Sequence, residues 1–399
     1  MNIMRKRDIK RIIGILIVLV VVAIETCNGE NDPITPDHNC KAKFSLGEEV
    51  EWNDVRQEIE IAAPADQRWI ARVADDWAWF DYEDYNSSTK GQGNGSVTLY
   101  LASNGGTAPR TTTVEVEFEG TTTIVLSLTQ YPFVQADEPL DLDYTTITWA
   151  ELPKVNTGDD NLYVTHMTTA NGKVMRNYSM CYNPKMMVAL WVAYPLHECY
   201  TRKAADRTDA WGYDPLVPTE YQSNMSRSLG NGYDRGHQIA SADRLASSHM
   251  NSQTFYYTNM TAQVGVGLNQ NIWNHLENKI RSEYICSDTL YVVTGCVMTT
   301  EEDRQVQWVD NRNGGQMAVP KAYFKVLLRT KSGNTGQLVD DSNAMTIGFW
   351  YENRKYSYST PRVDDVKSVE EIERLTGLTF FPQISDEIKS RKELENWGF

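Results

Sequence analysis

The chain has 399 residues, of which 41% are hydrophobic and 23% charged, with a formal net charge of −15. At roughly 100–200 residues per domain, this length predicts two or three domains. The composition excludes a mainly disordered chain, a collagen-like repeat and a multi-span membrane protein. The acidic balance argues against a protein that coats nucleic acid through a broad basic surface, although one local site can still hold a few phosphates.

The charge is unevenly distributed along the chain. Residues 1–139 carry 12 Lys and Arg against 22 Asp and Glu, a net of −10, whereas residues 140–399 carry 26 against 31, a net of −5. The N-terminal part is therefore more acidic for its length, which indicates two units with different roles.

The N-terminus has the pattern of an export signal. A basic stretch containing Arg5, Lys6 and Arg7 precedes an apolar run from Ile12 to Ile24, interrupted by Gly14 alone. A run of this length is typical of a secretory signal and is shorter than the ~20 residues that a membrane-spanning helix needs. We therefore predict a signal peptide over residues 1–26.

Cys27 follows the apolar run at the place where bacterial lipoproteins are cleaved and lipidated. We predict lipidation of Cys27, a tether over residues 27–43, attachment to a membrane through the lipid, and an exported outer-membrane lipoprotein in the periplasm or at the cell surface. The cleavage motif of a lipoprotein has a small residue at the position of Glu25, and Glu25 departs from it. Plain secretion or an uncleaved anchor is therefore the alternative.

Export implies an oxidising compartment for the remaining cysteines, which are Cys40, Cys181, Cys199, Cys286 and Cys296. One or two disulfides are expected, with Cys181–Cys199 and Cys286–Cys296 as candidates, although sequence alone does not fix the pairing. No CxxC or HExxH motif is present, so no zinc site is predicted.

Residues 44–134 read as short strands separated by turn signals, the pattern of a small β-sandwich. The clearest strands are 58–61, 97–101, 113–118 and 123–128. An early Trp69, a Gly-rich loop at 91–95, Asn104 with Arg110 beyond a turn, and a final Gln130-Tyr131 together resemble the immunoglobulin-like BACON domain. That resemblance implies glycan binding by exposed aromatic rings; alternatively, Trp69, Trp77 and Trp79 are core residues. Residues 135–160 are the predicted linker.

Residues 161–399 have a mixed α/β pattern, with four predicted strands at 187–194, 290–295, 322–328 and 344–351. Asp234-Arg235-Gly236-His237 lies between the first two strands. A helix is predicted from about Asn269, because Trp273, Leu276, Ile280 and Tyr284 form one apolar stripe. Asn269 lies at the start of this helix, and Glu277 and Arg281, four residues apart, can pair at its edge.

These polar residues suit phosphodiester hydrolysis. Imidazole accepts a proton from water near neutral pH, as His237 would. Mg²⁺ prefers oxygen ligands and keeps several waters, so the side-chain oxygen of Asn269 is a sufficient protein ligand beside a substrate phosphate. Arginine makes paired hydrogen bonds to phosphate, which suits Arg281.

The Asp-Arg-Gly-His sequence, followed by Asn269, Trp273, Leu276, Glu277 and Arg281 at these spacings, resembles the DNA/RNA non-specific endonucleases of the ββα-metal class. The resemblance implies an α+β fold class, with a ββα-metal endonuclease domain preceded by the small immunoglobulin-like β-sandwich. It also implies cleavage of DNA and RNA, contacted through the phosphate backbone, to give 5′-phosphate products.

The resemblance assigns roles by position. His237 would be the general base, Asn269 the direct ligand of Mg²⁺ (Mn²⁺ being compatible), and Glu277 would orient metal-bound water. Arg281 would hold phosphate, and Arg235 joins the catalytic and substrate-binding set. The family also uses an upstream arginine, for which Arg207 fits better than Arg202, because Trp211 and Asp214-Pro215 follow it.

Each assignment has a structural alternative. His237 is alternatively a structural histidine, Asn269 a helix cap and Glu277–Arg281 a solvated ion pair. The rival for the whole chain is a surface glycan-binding protein with a catalytically inactive nuclease-like domain. The oligomeric state is not readable from the sequence.

Overall fold

A computed structural model describes residues 40–45, 47–50, 56–81, 84–102, 104, 108–131, 141–156, 158–170 and 173–399. The predicted signal peptide and Cys27 lie outside these residues. Among the residues described, no helix has the length and apolar character needed to cross a bilayer.

The N-terminal part consists of two sheets that share one hydrophobic core. One sheet has the strand order β1-β3-β7-β5 and the other β2-β9-β8-β4-β6. Inward-facing residues of both sheets, including Ile59, Leu99, Val114 and Val116, form a common cluster. We call this unit the sandwich. Its strands are β1 (Lys41–Phe44), β2 (Glu49–Val50), β3 (Arg56–Ala62), β4 (Arg68–Val73), β5 (Ala78–Trp79), β6 (Ser88–Gln92), β7 (Gly95–Leu101), β8 (Arg110–Phe118) and β9 (Thr123–Gln130).

The aromatic residues that suggested a glycan platform are packing residues of the sandwich. Trp69 and Trp79 are buried, at 4% and 5% exposure. Trp69 fits because Gly91 has no side chain, since a Cβ there would lie 2.1 Å from the indole ring. Trp77 lies under the Arg110 guanidinium, 4.1 Å from the ring centroid. The core interpretation of the tryptophans is therefore the one that the structure favours.

The C-terminal part is built on a seven-stranded antiparallel sheet of order β10-β11-β12-β15-β18-β19-β20, with the two hairpins β13–β14 and β16–β17 beside it. We call this part the nuclease unit. Its strands are β10 (Leu162–Ala170), β11 (Lys173–Asn183), β12 (Val188–Leu196), β13 (Tyr233–His237), β14 (Met260–Val264), β15 (Leu290–Val297), β16 (Gln307–Asp310), β17 (Gln316–Val319), β18 (Ala322–Thr330), β19 (Ala344–Glu352) and β20 (Val366–Lys367).

Apolar clusters cover both faces of this sheet. Residues 141–156, in the segment assigned to the linker, pack on one face: Leu152 is buried, and Glu151 pairs with Arg176 at 2.8 Å. The α-helices are short: α1 (Glu198–Thr201), α2 (Ser248–Ser252), α3 (Asn274–Lys279), α4 (Val369–Thr376) and α5 (Asp386–Lys389).

The mixed, sheet-rich α+β class is confirmed, and every strand named above from its sequence pattern is present, with ends that differ from the predicted ones by at most three residues. The immunoglobulin-like and BACON assignments of the sandwich stay predictions. The expected disulfides are wrong, because all five cysteines of the described chain are free thiols. Cys181 and Cys296 belong to the clusters on opposite faces of the sheet.

Gly295 tests the packing of the central strand β15. A Cβ at this position would lie 2.3 Å from the Phe324 ring and 2.5 Å from the Leu190 carbonyl oxygen. We expect Gly295→Ala to lower the free energy of unfolding by about 1–3 kcal/mol in urea titrations, because the overpacked core must shift. Gly158→Ala is the control, since its nearest neighbour would be 3.6 Å away. Equal stability of the two variants would contradict this packing.

Candidate active site

The Asp-Arg-Gly-His sequence lies on β13, which pairs with β14 in an antiparallel hairpin. Gly236 is required by this pairing, since a Cβ would come within 2.4 Å of the Gln263 side chain. A helical segment follows β14 directly. The order strand, strand, helix is the ββα unit that the resemblance implies.

After Val266 and Gly267, whose backbone is not helical, the helical segment spans residues 268–284, with wider π-type turns on either side of α3. We call it the site helix. Its predicted apolar stripe is confirmed, because Trp273, Leu276, Ile280 and Tyr284 are all at most 3% exposed. This stripe is buried against the nuclease sheet. Its burial therefore determines which side chains lie at the edge of the site helix.

A cavity of about 440 Å³ lies between the hairpin and the site helix. All six residues predicted for the chemistry line it: Arg207, Arg235, His237, Asn269, Glu277 and Arg281. The wall also includes Trp211, Ser228 and Asp234. Residues distant in sequence, on four separate segments, thus converge on one opening.

His237 is enclosed by aromatic rings on this wall. Its ring centroid lies 5.5 Å from that of Trp211 and 5.0 Å from that of Phe255. Burial, together with the positive charges of Arg207 and Arg235, holds the pKa of His237 well below its ordinary value of 6.5. The imidazole is therefore neutral at pH 7 and able to accept a proton.

Asn269 is oriented by Asp234. The Asn269 amide Nδ2 donates to Asp234 Oδ2 at 2.8 Å, and Gln270 Nε2 donates to the same oxygen at 2.9 Å. Because the amide nitrogen is used in this bond, the carbonyl oxygen of Asn269 stays available for another partner. That oxygen is the type of ligand that Mg²⁺ prefers.

Glu277 is held above a buried lysine. Lys325, on β18, is fully buried, with its Nζ 3.7 Å from Glu277 Oε1 and 4.5 Å from the Trp273 ring centroid. Burial raises the pKa of Glu277, and the positive charges of Lys325 and Arg281 oppose this shift. Burial correspondingly lowers the pKa of Lys325.

Arg281 pairs with Asp243 and not with Glu277. Its Nη1 lies 2.7 Å from Asp243 Oδ1, whereas the ion partner of Glu277 is Lys325. The Glu277–Arg281 ion pair, which the spacing allowed and which was the structural alternative for these two residues, is therefore not formed. Asp243 belongs to the segment after β13 and lies under the site helix. The Asp243 carboxylate pairs there with the Arg281 guanidinium.

The two other arginines stack on the rings beside His237. The Arg235 guanidinium lies 3.7 Å from the Trp211 ring centroid, and its Nη1 donates to the carbonyls of Met225 and Ser226 at 2.8 and 3.2 Å. Arg207 is half exposed, and its guanidinium lies over Phe255. Both arginines line the cavity, and a guanidinium is well suited to phosphate oxygens.

Asp234, Asp243 and Lys325 are the contributors for which the sequence predicted no role. Asp234 is the first residue of the Asp-Arg-Gly-His motif, and its position next to Arg235 was the one sequence signal that it belongs to the site. Asp243 and Lys325 carry no local pattern that predicts their contacts. The described chain contains no cluster of three His, Cys, Asp or Glu side chains able to hold a metal ion.

Comparisons with known proteins identify the family of the C-terminal part. Residues 158–387 match the DNA/RNA non-specific endonuclease family. Nuclease C1 of Cunninghamella echinulata var. echinulata is 30% identical over 52% of this chain and 81% of its own length. Human mitochondrial endonuclease G is 33% identical over 53% of this chain and 70% of its own, and a nuclease of Nostoc sp. is 30% identical over 57% and 80%.

Among solved structures, a chain from a crystal structure of an EndoG/EndoGI complex is 25% identical, with a TM-score of 0.46, over 57% of this chain and 92% of that chain.

The chain belongs to the DNA/RNA non-specific endonuclease family. It is an endonuclease that hydrolyses nucleic acid, and the family depends on a divalent metal ion. A catalytically inactive glycan-binding protein is accordingly not favoured.

The environment of His237 predicts the acidic limb of the activity profile. A histidine that acts as general base must be neutral to accept a proton, so a lowered pKa would keep His237 competent for this role below pH 6.5. We expect kcat/KM to fall only below pH 6.5, and Arg207→Gln to move this fall to higher pH by removing a positive charge. Arg354→Gln, which changes an exposed arginine paired with Glu352, is the control. A wild-type limb above pH 6.5 would contradict this electrostatic account.

Proposed function

We propose that the chain is a Mg²⁺-dependent endonuclease that hydrolyses phosphodiester bonds of DNA and RNA with little sequence preference. The single observation that carries the proposal is the joint placement, around one cavity, of a neutral histidine, an oriented amide oxygen and three arginines. The residues that line the cavity include these three arginines and two carboxylates, Asp234 and Glu277, and the excess of arginine suits a phosphate.

His237 acts as general base in this proposal. It takes a proton from water as the water oxygen bonds to phosphorus. The bond from phosphorus to the 3′ oxygen breaks, which leaves a 5′-phosphate on one fragment and a 3′ alkoxide on the other, and the alkoxide takes a proton from solvent to become a hydroxyl. Arg207, Arg235 and Arg281 bind the non-bridging phosphate oxygens. Their contacts are to the backbone, which accounts for the absence of sequence preference.

Asn269 would hold the metal ion through its side-chain oxygen, with Glu277 orienting a water of the ion. A bound Mg²⁺ supplies positive charge to the phosphate and the departing oxygen. Asp234 serves by fixing the amide of Asn269, and Lys325 by keeping a positive charge beside Glu277. A site with so few protein ligands fits Mg²⁺, which keeps several waters.

We further propose export of the chain as a lipoprotein through Cys27. The support is the basic stretch, the apolar run and the cysteine that follows it. This placement would give the enzyme access to nucleic acid outside the cytoplasm.

The metal site can be tested by titrating Mg²⁺ in a plasmid-nicking assay. We expect Asn269→Ala to abolish nicking, and Asp234→Asn to raise the Mg²⁺ concentration for half-maximal activity about 10–100-fold, the usual effect of removing a partner of a metal ligand. Asp234→Asn keeps the shape of the side chain but loses the charge that orients the Asn269 amide.

Asn334→Ala and Asp310→Asn are matched controls on exposed residues away from the cavity. Nicking by Asn269→Ala with a wild-type Mg²⁺ requirement would remove Asn269 from the proposed metal site.

A further inference from the structure

The side of the cavity that carries Ser228 is formed by residues 225–230, which we call the wall segment. Its carbonyls at Met225 and Ser226 accept both hydrogen bonds of Arg235 Nη1. Ser228 lines the cavity beside the same arginine. The position of the wall segment therefore sets the position of a guanidinium that faces the proposed phosphate site.

The wall segment is contacted by the sandwich. The backbone N–H of Ser228 donates to the Tyr85 hydroxyl at 2.5 Å. Tyr85 comes from the chain between β5 and β6, and its ring packs on buried Trp79 with centroids 5.0 Å apart. Its backbone has φ of +55°, a left-handed conformation that is unfavourable for a bulky residue. Such strain persists where surrounding contacts fix the residue.

The wall segment is held on its other side by the β16–β17 hairpin. Arg312 at the hairpin tip donates to the Ser228 hydroxyl at 3.4 Å, and the Asn313 amide donates to the Asn224 carbonyl at 3.0 Å. Ser228 consequently has its backbone N–H bound by the sandwich and its hydroxyl bound by the hairpin.

The apolar cores of the sandwich and the nuclease unit are separate clusters. The contact between the sandwich and the wall segment is polar and lies beside the cavity. It is suited to holding the wall segment in place and does not form a shared hydrophobic core. We propose that the sandwich is a positioning module of the nuclease: Tyr85 fixes Ser228 and, through the wall segment, the Arg235 guanidinium that binds substrate phosphate. This inference rests on the proposed phosphate-binding role of Arg235.

Tyr85→Phe in the full-length chain tests the inference, since it removes only the hydroxyl. We expect faster hydrogen exchange in the peptide containing Ser228, because its N–H loses its acceptor. We also expect KM for DNA to rise about two- to tenfold, the effect of one hydrogen bond, with kcat within about twofold of wild type.

Thr98→Val is the matched control, because the Thr98 hydroxyl donates at 2.6 Å to Glu58 within the sandwich. It should change neither the exchange of the wall segment nor KM. A purely structural role for Tyr85 would change stability without the selective rise in KM.

Unchanged exchange at Ser228 in Tyr85→Phe would overturn the proposed contact. Faster exchange with an unchanged KM would overturn its role in substrate binding. An inactive wild-type enzyme would count against the proposed catalytic function instead, and the exchange measurement would still report on the contact.

Discussion

The hydrogen bond from Asn269 to Asp234 links the two halves of the ββα unit. It joins the strand that carries His237 to the first turns of the site helix, and it turns the amide oxygen away from the carboxylate. Close packing accompanies it, because a Cβ on Gly265 would lie 2.6 Å from Asp234. His237, the proposed base, and Asn269, the proposed metal ligand, are therefore held relative to each other through a single carboxylate.

Beneath this link lies a set of buried charges that burial alone would disfavour. Asp243 binds Arg281, and Lys325 lies beside Glu277 with its Nζ also within 3.2 Å of Thr294 Oγ1. Removing one member of such a pair leaves an uncompensated buried charge and is strongly destabilising. Burying these charges costs desolvation energy. The charge pairs in turn hold Glu277 and Arg281 of the site helix at the cavity.

Local periodicity was enough to predict the site helix, since the stripe from Trp273 to Tyr284 repeats at helical spacing and is buried. Short strand-like segments between turn signals likewise predicted the strands of the sandwich. The resemblance supplied the six cavity residues. What local patterns do not contain is contact between distant residues: Asp234 with Asn269, Lys325 with Glu277, or Tyr85 with Ser228, 143 positions apart.

The disulfide expectation failed because it rested on compartment and number rather than on geometry. Cys286, for example, donates its thiol to the Asp288 carbonyl. The motif of the sandwich is similarly limited, because it does not identify a ligand. Its motif residues Asn104 and Arg110 both donate hydrogen bonds to Gln130, and these bonds stabilise the unit whatever ligand it has.

The most direct measurement is nicking of supercoiled plasmid by the wild type, His237→Ala and His275→Ala, each with Mg²⁺ and with EDTA. His275 is an exposed histidine on the site helix and serves as the matched control. The account predicts Mg²⁺-dependent nicking by the wild type and by His275→Ala, and a rate about 10²–10⁴-fold lower for His237→Ala. Equal nicking by His237→Ala, or wild-type nicking that persists in EDTA, would contradict it.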